Sequence, residues 1–101
     1  MTRDVFYSPE ARRQLTELYL WIADQSGYPD RAETYVTRIF DFCDALSLNP
    51  HVGISREDLR PGLRTVGFRR RVIIAFAVHQ TSIEIHGVFY GGRDHESFLS
   101  G

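Results

Sequence analysis

The chain has 101 residues, 43% of them hydrophobic and 25% charged, which is the size and composition of one globular domain and leaves no room for a second core. A net charge of −1 argues against a general nucleic-acid binder, and a single cysteine, Cys43, rules out an intrachain disulfide. The expectation is one domain over residues 1–101 in a reducing, cytoplasmic compartment. Met1-Thr2-Arg3-Asp4 lacks the basic and apolar stretches of a signal peptide, and the longest apolar run, Val72 to Val78, is too short for a membrane span.

Val5-Phe6-Tyr7 is a short β-prone run that stops at Ser8-Pro9-Glu10. There serine caps a helix, proline suits its first position and the acid favours its positive end. Ala11, Leu15, Leu18, Tyr19 and Ile22 keep helical spacing, Trp21 lies off that stripe, and Gln25-Ser26-Gly27 with Pro29 ends the helix. A second helix opens at Pro29-Asp30 and carries Ala32, Tyr35, Val36, Ile39, Cys43 and Leu46 on one face as far as Asn49-Pro50. The short join predicts an antiparallel helical hairpin, with Phe40 and Phe42 widening its apolar surface for packing on a sheet and Cys43 as a packed, inert thiol. Asn49 to Gly62 reads as a loop with one turn of helix around Arg56 to Leu59.

Three strands follow: Leu63 to Phe68, Arg70 to Val78, and Ile83 to Tyr90. If Val78 faces Ile83 across the turn at His79-Gln80-Thr81-Ser82, then Phe76 faces Ile85, Ile74 faces Gly87 and Val72 faces Phe89 on one apolar face, which receives the helices. The same register puts Ala77 opposite Glu84, Ala75 opposite His86, Ile73 opposite Val88 and Arg71 opposite Tyr90 on the other face. One hairpin covers one side of a sheet, so Ile73, Ala75 and Val88 predict a second face that awaits a partner. The fold class is α+β: an N-terminal strand, then an antiparallel helical hairpin packed on one face of a mainly antiparallel sheet.

All 12 basic residues are arginine, five of them up to Pro50 against eight acids and seven from His51 on against five acids. Arginine forks onto carboxylates and phosphates and is weakly hydrated, so a run of it suits an interface. Arg71, Glu84, His86 and Tyr90, with Arg93 and His95 close behind, form the one group resembling an active site. Arginines would hold a phosphate while Glu or His and Tyr moved protons in RNA cleavage. Glu84 lies about 13 Å along the strand from the Arg71-Tyr90 pair, too far to share one phosphate. Without that chemistry, Arg71 and Tyr90 form a cross-strand pair and His86 lies partly exposed. His51, His79, His86 and His95 lack ligand spacing, so no metal is expected, and Gly91-Gly92-Arg93-Asp94 is a turn rather than a phosphate cradle.

Tyr7-Ser8-Pro9-Glu10-Ala11 opening the first helix and Leu59-Arg60-Pro61-Gly62-Leu63-Arg64 before the sheet form the first half of a pattern. Phe68-Arg69-Arg70-Arg71 entering the long strand and Ile85-His86-Gly87-Val88-Phe89-Tyr90-Gly91-Gly92-Arg93-Asp94 closing the sheet complete it. In order and spacing these segments resemble the ParE branch of the RelE/ParE toxin superfamily over nearly the whole chain. The resemblance implies the toxin of a type II toxin–antitoxin module, a non-enzymatic poison of DNA gyrase. It also implies neutralisation by a ParD-like antitoxin and contact with operator DNA only through that antitoxin. No cofactor or membrane is implied. Arg60, Arg64, Arg69, Arg70, Arg71 and Arg93 are the expected charged contacts, with Tyr90, Ile73 and Ala75 beside them and Arg93 to Gly101 as a target-contacting tail. One departure is Tyr90, where ParE-like chains commonly carry histidine. A tyrosine there is similar to the RNA-cleaving RelE branch and keeps a ribosome-dependent mRNA endonuclease, using Arg71, His86 and Tyr90, as the alternative.

Overall fold

Ser8 is where the chain turns from sheet to helix. In the computed structural model, which describes residues 3–91, strand β1 (Asp4–Tyr7) ends one residue before it and helix α1 (Pro9–Ser26) begins one residue after. The serine Oγ accepts the Ala11 N–H at 3.0 Å, Pro9 takes a position that needs no N–H, and Glu10 lies in the first turn. Gly27 closes α1 in a left-handed conformation, φ 73°, that a side chain would strain. Helix α2 (Pro29–Ala45) completes the hairpin and buries Ala32, Val36, Ile39 and Cys43 at helical spacing. It stops three residues short of the expected end before Asn49, because Leu46, Ser47 and Leu48 tighten into three-residue turns onto Cys43, Asp44 and Ala45.

The sheet has five strands in the order β1-β5-β4-β3-β2: β2 (Ile54–Ser55), β3 (Leu63–Phe68), β4 (Val72–Val78) and β5 (Ser82–Tyr90). β1 pairs with β5 in parallel, and the other neighbours are antiparallel. The two-residue β2 lies in the segment expected to be loop, where nothing in so short a stretch marks a strand. Leu15, Leu18, Val36, Ile39 and Cys43 of the helices meet Val72, Ile74, Phe76, Ile83, Ile85 and Val88 of the sheet in one core. Burying aliphatic side chains of this kind contributes about 1.5–3 kcal/mol each.

The β4–β5 register follows the expectation at Val78↔Ile83, Ala77↔Glu84 and Phe76↔Ile85, and then slips by one residue. A bulge leaves His86 unpaired, so Ala75 faces Gly87, Ile74 faces Val88, Ile73 faces Phe89 and Val72 faces Tyr90. Side chains alternate with period two, so the extra residue carries everything after it to the opposite face. Val88 and Tyr90 turn toward the helices, and Phe89 turns away from them. The expected pairs Ile73–Val88, Ala75–His86 and Arg71–Tyr90 are not formed.

The second face is consequently less open than the alternation suggested. Phe89, Leu63 and Ala75 form a small core there, covered by Leu59 from the connection before β3. Ala75 is wholly buried and Ile73 half-buried. Ala75 is therefore covered by the chain itself, and the continuous vacant sheet surface is not present.

β1 accompanies β5 only as far as Tyr7↔Ile85, so the edge of β5 beyond that point needs other partners. Helix α1 supplies them. The Ser8 N–H donates to the Ile85 carbonyl at 2.9 Å, and the Ser8 hydroxyl donates to the His86 carbonyl at 3.0 Å. The buried Gln14 Oε1 accepts the Val88 N–H at 2.7 Å. We expect Gln14→Leu, which strands that N–H, to lower stability by about 1–3 kcal/mol in urea unfolding. A Cβ at Gly87 would sit 2.6 Å from the Phe89 ring, so Gly87→Ala should cost about 1–3 kcal/mol as well. Unchanged unfolding midpoints in both variants would show that the bulge is not held in this way.

Candidate functional site

Since every basic side chain is arginine, the guanidiniums map the positive charge, and their partners separate internal use from external. Arg13 pairs with Glu10 and Glu17 along α1, and Arg56 pairs with Asp58 at 3.0 Å. Arg3 donates to the His79 carbonyl at 2.9 Å. Arg64 donates to the carbonyls of Val52 at 3.1 Å and His51 at 2.9 Å, pinning the segment before β2. Arg64, expected as a partner contact, is thus committed to its own chain. Arg60 lies close enough to His86 to disfavour a charged imidazole there. Arg93 and the expected tail lie outside the described residues.

Arg69, Arg70 and Arg71 form the three-residue connection between β3 and β4, joining the paired Phe68 and Val72. The expected strand start at Arg70 is therefore two residues early. Arg69 and Arg70 both have left-handed backbones, at φ 52° and 67°, a conformation that costs a residue with a side chain roughly 1–2 kcal/mol. Such strain persists where surrounding structure holds it, and it concentrates at working sites. Arg69 lies over the Phe68 ring, 5.4 Å from its centroid. No ion pair fixes Arg69, Arg70 or Arg71 among the described residues.

Around this tip lie residues that the arginine count by halves obscured. Arg31 and Arg38, seven positions and two turns apart on α2, join Asp30, Thr34, Tyr35 and Arg69 around an open cleft of about 340 Å³. The Tyr35 hydroxyl is buried with no hydrogen-bond partner among the described residues. Burial raises its pKa first and the neighbouring Tyr90 adds to this, while Arg69 and Arg71 oppose the rise. Tyr90 in turn packs on Trp21, with ring centroids 5.0 Å apart, at a second cleft of about 250 Å³ shared with Gln14, Glu17 and Leu18. Arg31 lies 4.8 Å from the Tyr28 ring centroid. One end of the molecule therefore interleaves Trp21, Tyr28, Tyr35 and Tyr90 with Arg31, Arg38, Arg69 and Arg71. The i, i+7 spacing of Arg31 and Arg38 was the available signal for the α2 contribution.

The residues grouped as a nuclease centre are not brought together. Tyr90 lies on the helix side of the sheet, whereas His86 lies across it beside Glu84, Nε2 to Oε1 3.7 Å, with His79 at 3.4 Å from the same carboxylate oxygen. Burial lowers the His86 pKa first, Glu84 opposes that, and Arg60 and His79 add to the lowering. Cys43 is buried, and burial pushes its thiol up to about 12, outside the range of a nucleophile. No helix among the described residues is long and apolar enough to cross a membrane.

Comparisons with known proteins agree with this architecture. Residues 5–95 match the family model described as ParE toxin of type II toxin-antitoxin system, parDE. A solved structure titled "Chromosomal ParDE TA system from P. aeruginosa" is similar with a TM-score of 0.74 at 21% identity, covering 88% of this chain and 96% of that one. At that identity the likeness concerns the fold. No curated protein matches the chain.

Two outcomes follow from the site. Arg70→Gly removes a strained side chain at φ 67° and should raise stability by up to about 1 kcal/mol in urea unfolding, a fall in midpoint being the contrary result. The folded state holds His86 below its ordinary pKa, so its contribution is full above the unfolded histidine value, near 6.5, and is lost progressively as pH falls from there through the lowered folded value. Unfolding free energy should therefore drop more between pH 7.5 and 5.5 in the wild type than in His86→Asn, and equal slopes would remove His86 from the account.

Proposed function

The chain belongs to the ParE toxin family of type II toxin–antitoxin systems, and from this premise we propose a cytoplasmic, non-enzymatic toxin that inhibits DNA gyrase and is neutralised by a ParD-like antitoxin. The observation that carries the reading is the arginine surface at the β3–β4 tip, without an ion-pair partner among the described residues and joined to exposed aromatics. Trp, Tyr and Arg are the residue types that dominate binding energy at macromolecular interfaces. The separation of Tyr90 from His86 across the sheet favours this over the mRNA endonuclease, whose proton transfers need both beside one phosphate.

The antitoxin has its own place to dock. Arg12, Leu15, Thr16, Tyr19, Val36 and Phe40 line an open groove of about 340 Å³ between the two helices, mostly apolar and rimmed by Arg12. An amphipathic helix lays anchors at i, i+3, i+4 and i+7 into such a groove. β2 pairs only with Arg64 and Thr65 and Gly53 lies against Val66, which leaves the outer edge of β3 at Gly67 and Phe68 for an added strand. In this reading operator DNA is reached through the antitoxin.

Adding the purified chain to gyrase and supercoiled plasmid should trap cleaved plasmid, and prior addition of the ParD-like antitoxin should abolish it. Tyr90→Phe should leave the trapping intact, since one hydroxyl matters far more to proton transfer than to packing. Message cut on translating ribosomes, with plasmid untouched, would establish the endonuclease instead.

A further inference from the structure

We propose that the arginine and aromatic end of the molecule binds single-stranded nucleic acid directly, without the antitoxin. The proposal does not depend on gyrase being the target. It rests on two features that coincide at one place. The first is a set of guanidiniums with no carboxylate partner among the described residues. Arg31, Arg38, Arg69, Arg70 and Arg71 have no ion-pair partner among the described residues, although Asp30, Glu33 and Asp41 lie on the same helix as Arg31 and Arg38. The second is a set of accessible π faces. Trp21 is 47% exposed and Tyr28 59% exposed, with Trp21 backed by Tyr90.

Each feature alone fits several ligands, but their combination selects one. A protein segment would need an acidic side chain for each arginine and a separate apolar one for each ring. Duplex DNA would satisfy the arginines too, but its base faces are already stacked. Unpaired bases offer a π face for each ring and a phosphate for each guanidinium, and arginine adds cation–π contact to the stack. The left-handed backbone at Arg69 and Arg70 forms the tip from which these arginines extend, beside the cleft that Arg31, Arg38 and Tyr35 line. The overall charge of −1 does not forbid this, since the three consecutive arginines of the β3–β4 turn have no carboxylate partner among the described residues, although Asp30, Glu33 and Asp41 share a cleft with Arg38. Glu17 and Asp30 border the surface, which keeps binding dependent on low salt.

Trp21 is the sole tryptophan, so the protein carries its own probe. Titrating the chain at low salt with a dodecamer of deoxythymidylate, and separately of uridylate, should quench its fluorescence. The logarithm of the binding constant should fall against that of salt with a slope of about −0.7 per phosphate neutralised, about −3.5 in all for five arginines. Quenching by both oligomers assigns a surface blind to the 2′-hydroxyl, and quenching by one alone identifies which strand the site takes. Either result supports the proposal. With a fluorescein-labelled oligomer, Trp21→Ala should weaken binding about tenfold and Arg31→Ala/Arg38→Ala/Arg69→Ala more, while Arg56→Ala leaves it unchanged. Absence of quenching and of anisotropy change for both oligomers at low salt overturns the proposal without recourse to any variant. So does binding by the triple arginine variant equal to that of the wild type, with circular dichroism showing it folded.

Discussion

Three hydrogen bonds from the start of α1 to one edge of β5 set the geometry on which the rest of the molecule depends. Ser8 donates its N–H and its hydroxyl to the Ile85 and His86 carbonyls, and Gln14 receives the Val88 N–H. β1 is too short to satisfy this edge, and a bulge at His86 disturbs the other side of the same stretch. A buried strand edge left unpaired costs about as much as each lost bond. The helix therefore takes over as the missing strand. Ser8 also caps α1 through Ala11, so one residue fixes the end of β1, the start of α1 and the place of the bulge.

That docking decides what the end of the sheet presents. With α1 held against β5, Trp21 comes to lie on Tyr90, which the bulge has already turned toward the helices. Tyr90 sits opposite Val72, the first residue after the arginine turn, and the Gly91 N–H reaches the Arg71 carbonyl at 3.1 Å. The arginine tip and the aromatic pair are thereby neighbours, although they come from distant parts of the chain. Stability alone does not account for the tip. Two consecutive left-handed arginines oppose folding, and glycine would relieve that at either position.

The fold was legible where local chemistry is strong. Ser8-Pro9-Glu10 marks a helix start, Gly27 a helix end, and the period-two pattern of Val72 to Val78 a strand with its inward face. The bulge was not legible, because an extra residue in one strand leaves no local mark: His86 and Gly87 fit either register until Phe89 needs space over Gly87. That one slip moved Val88 and Tyr90 to the helix side and led Phe89 and Leu59 to cover Ala75. The arginine-rich stretch was visible as composition, but the partner of each guanidinium was not. Arg64 serves loop carbonyls twelve residues away, and Arg31 and Arg38 join the tip through tertiary packing that no spacing in the second half of the chain encodes.

As a member of the ParE toxin family, the chain fits an account in which surface rather than chemistry does the work. Cys43 is packed away, Tyr90 and His86 face opposite sides of the sheet, and Arg69, Arg70 and Arg71 have no ion-pair partner among the described residues. Backbone amide exchange of the chain, alone and bound to gyrase engaged on DNA, tests that division most directly. The account predicts slowed exchange in Arg69–Val72 and Tyr28–Arg38, with Glu84–His86 exchanging as in the free chain. Slowing confined to Glu84–His86, with the arginine turn unaffected, would contradict it.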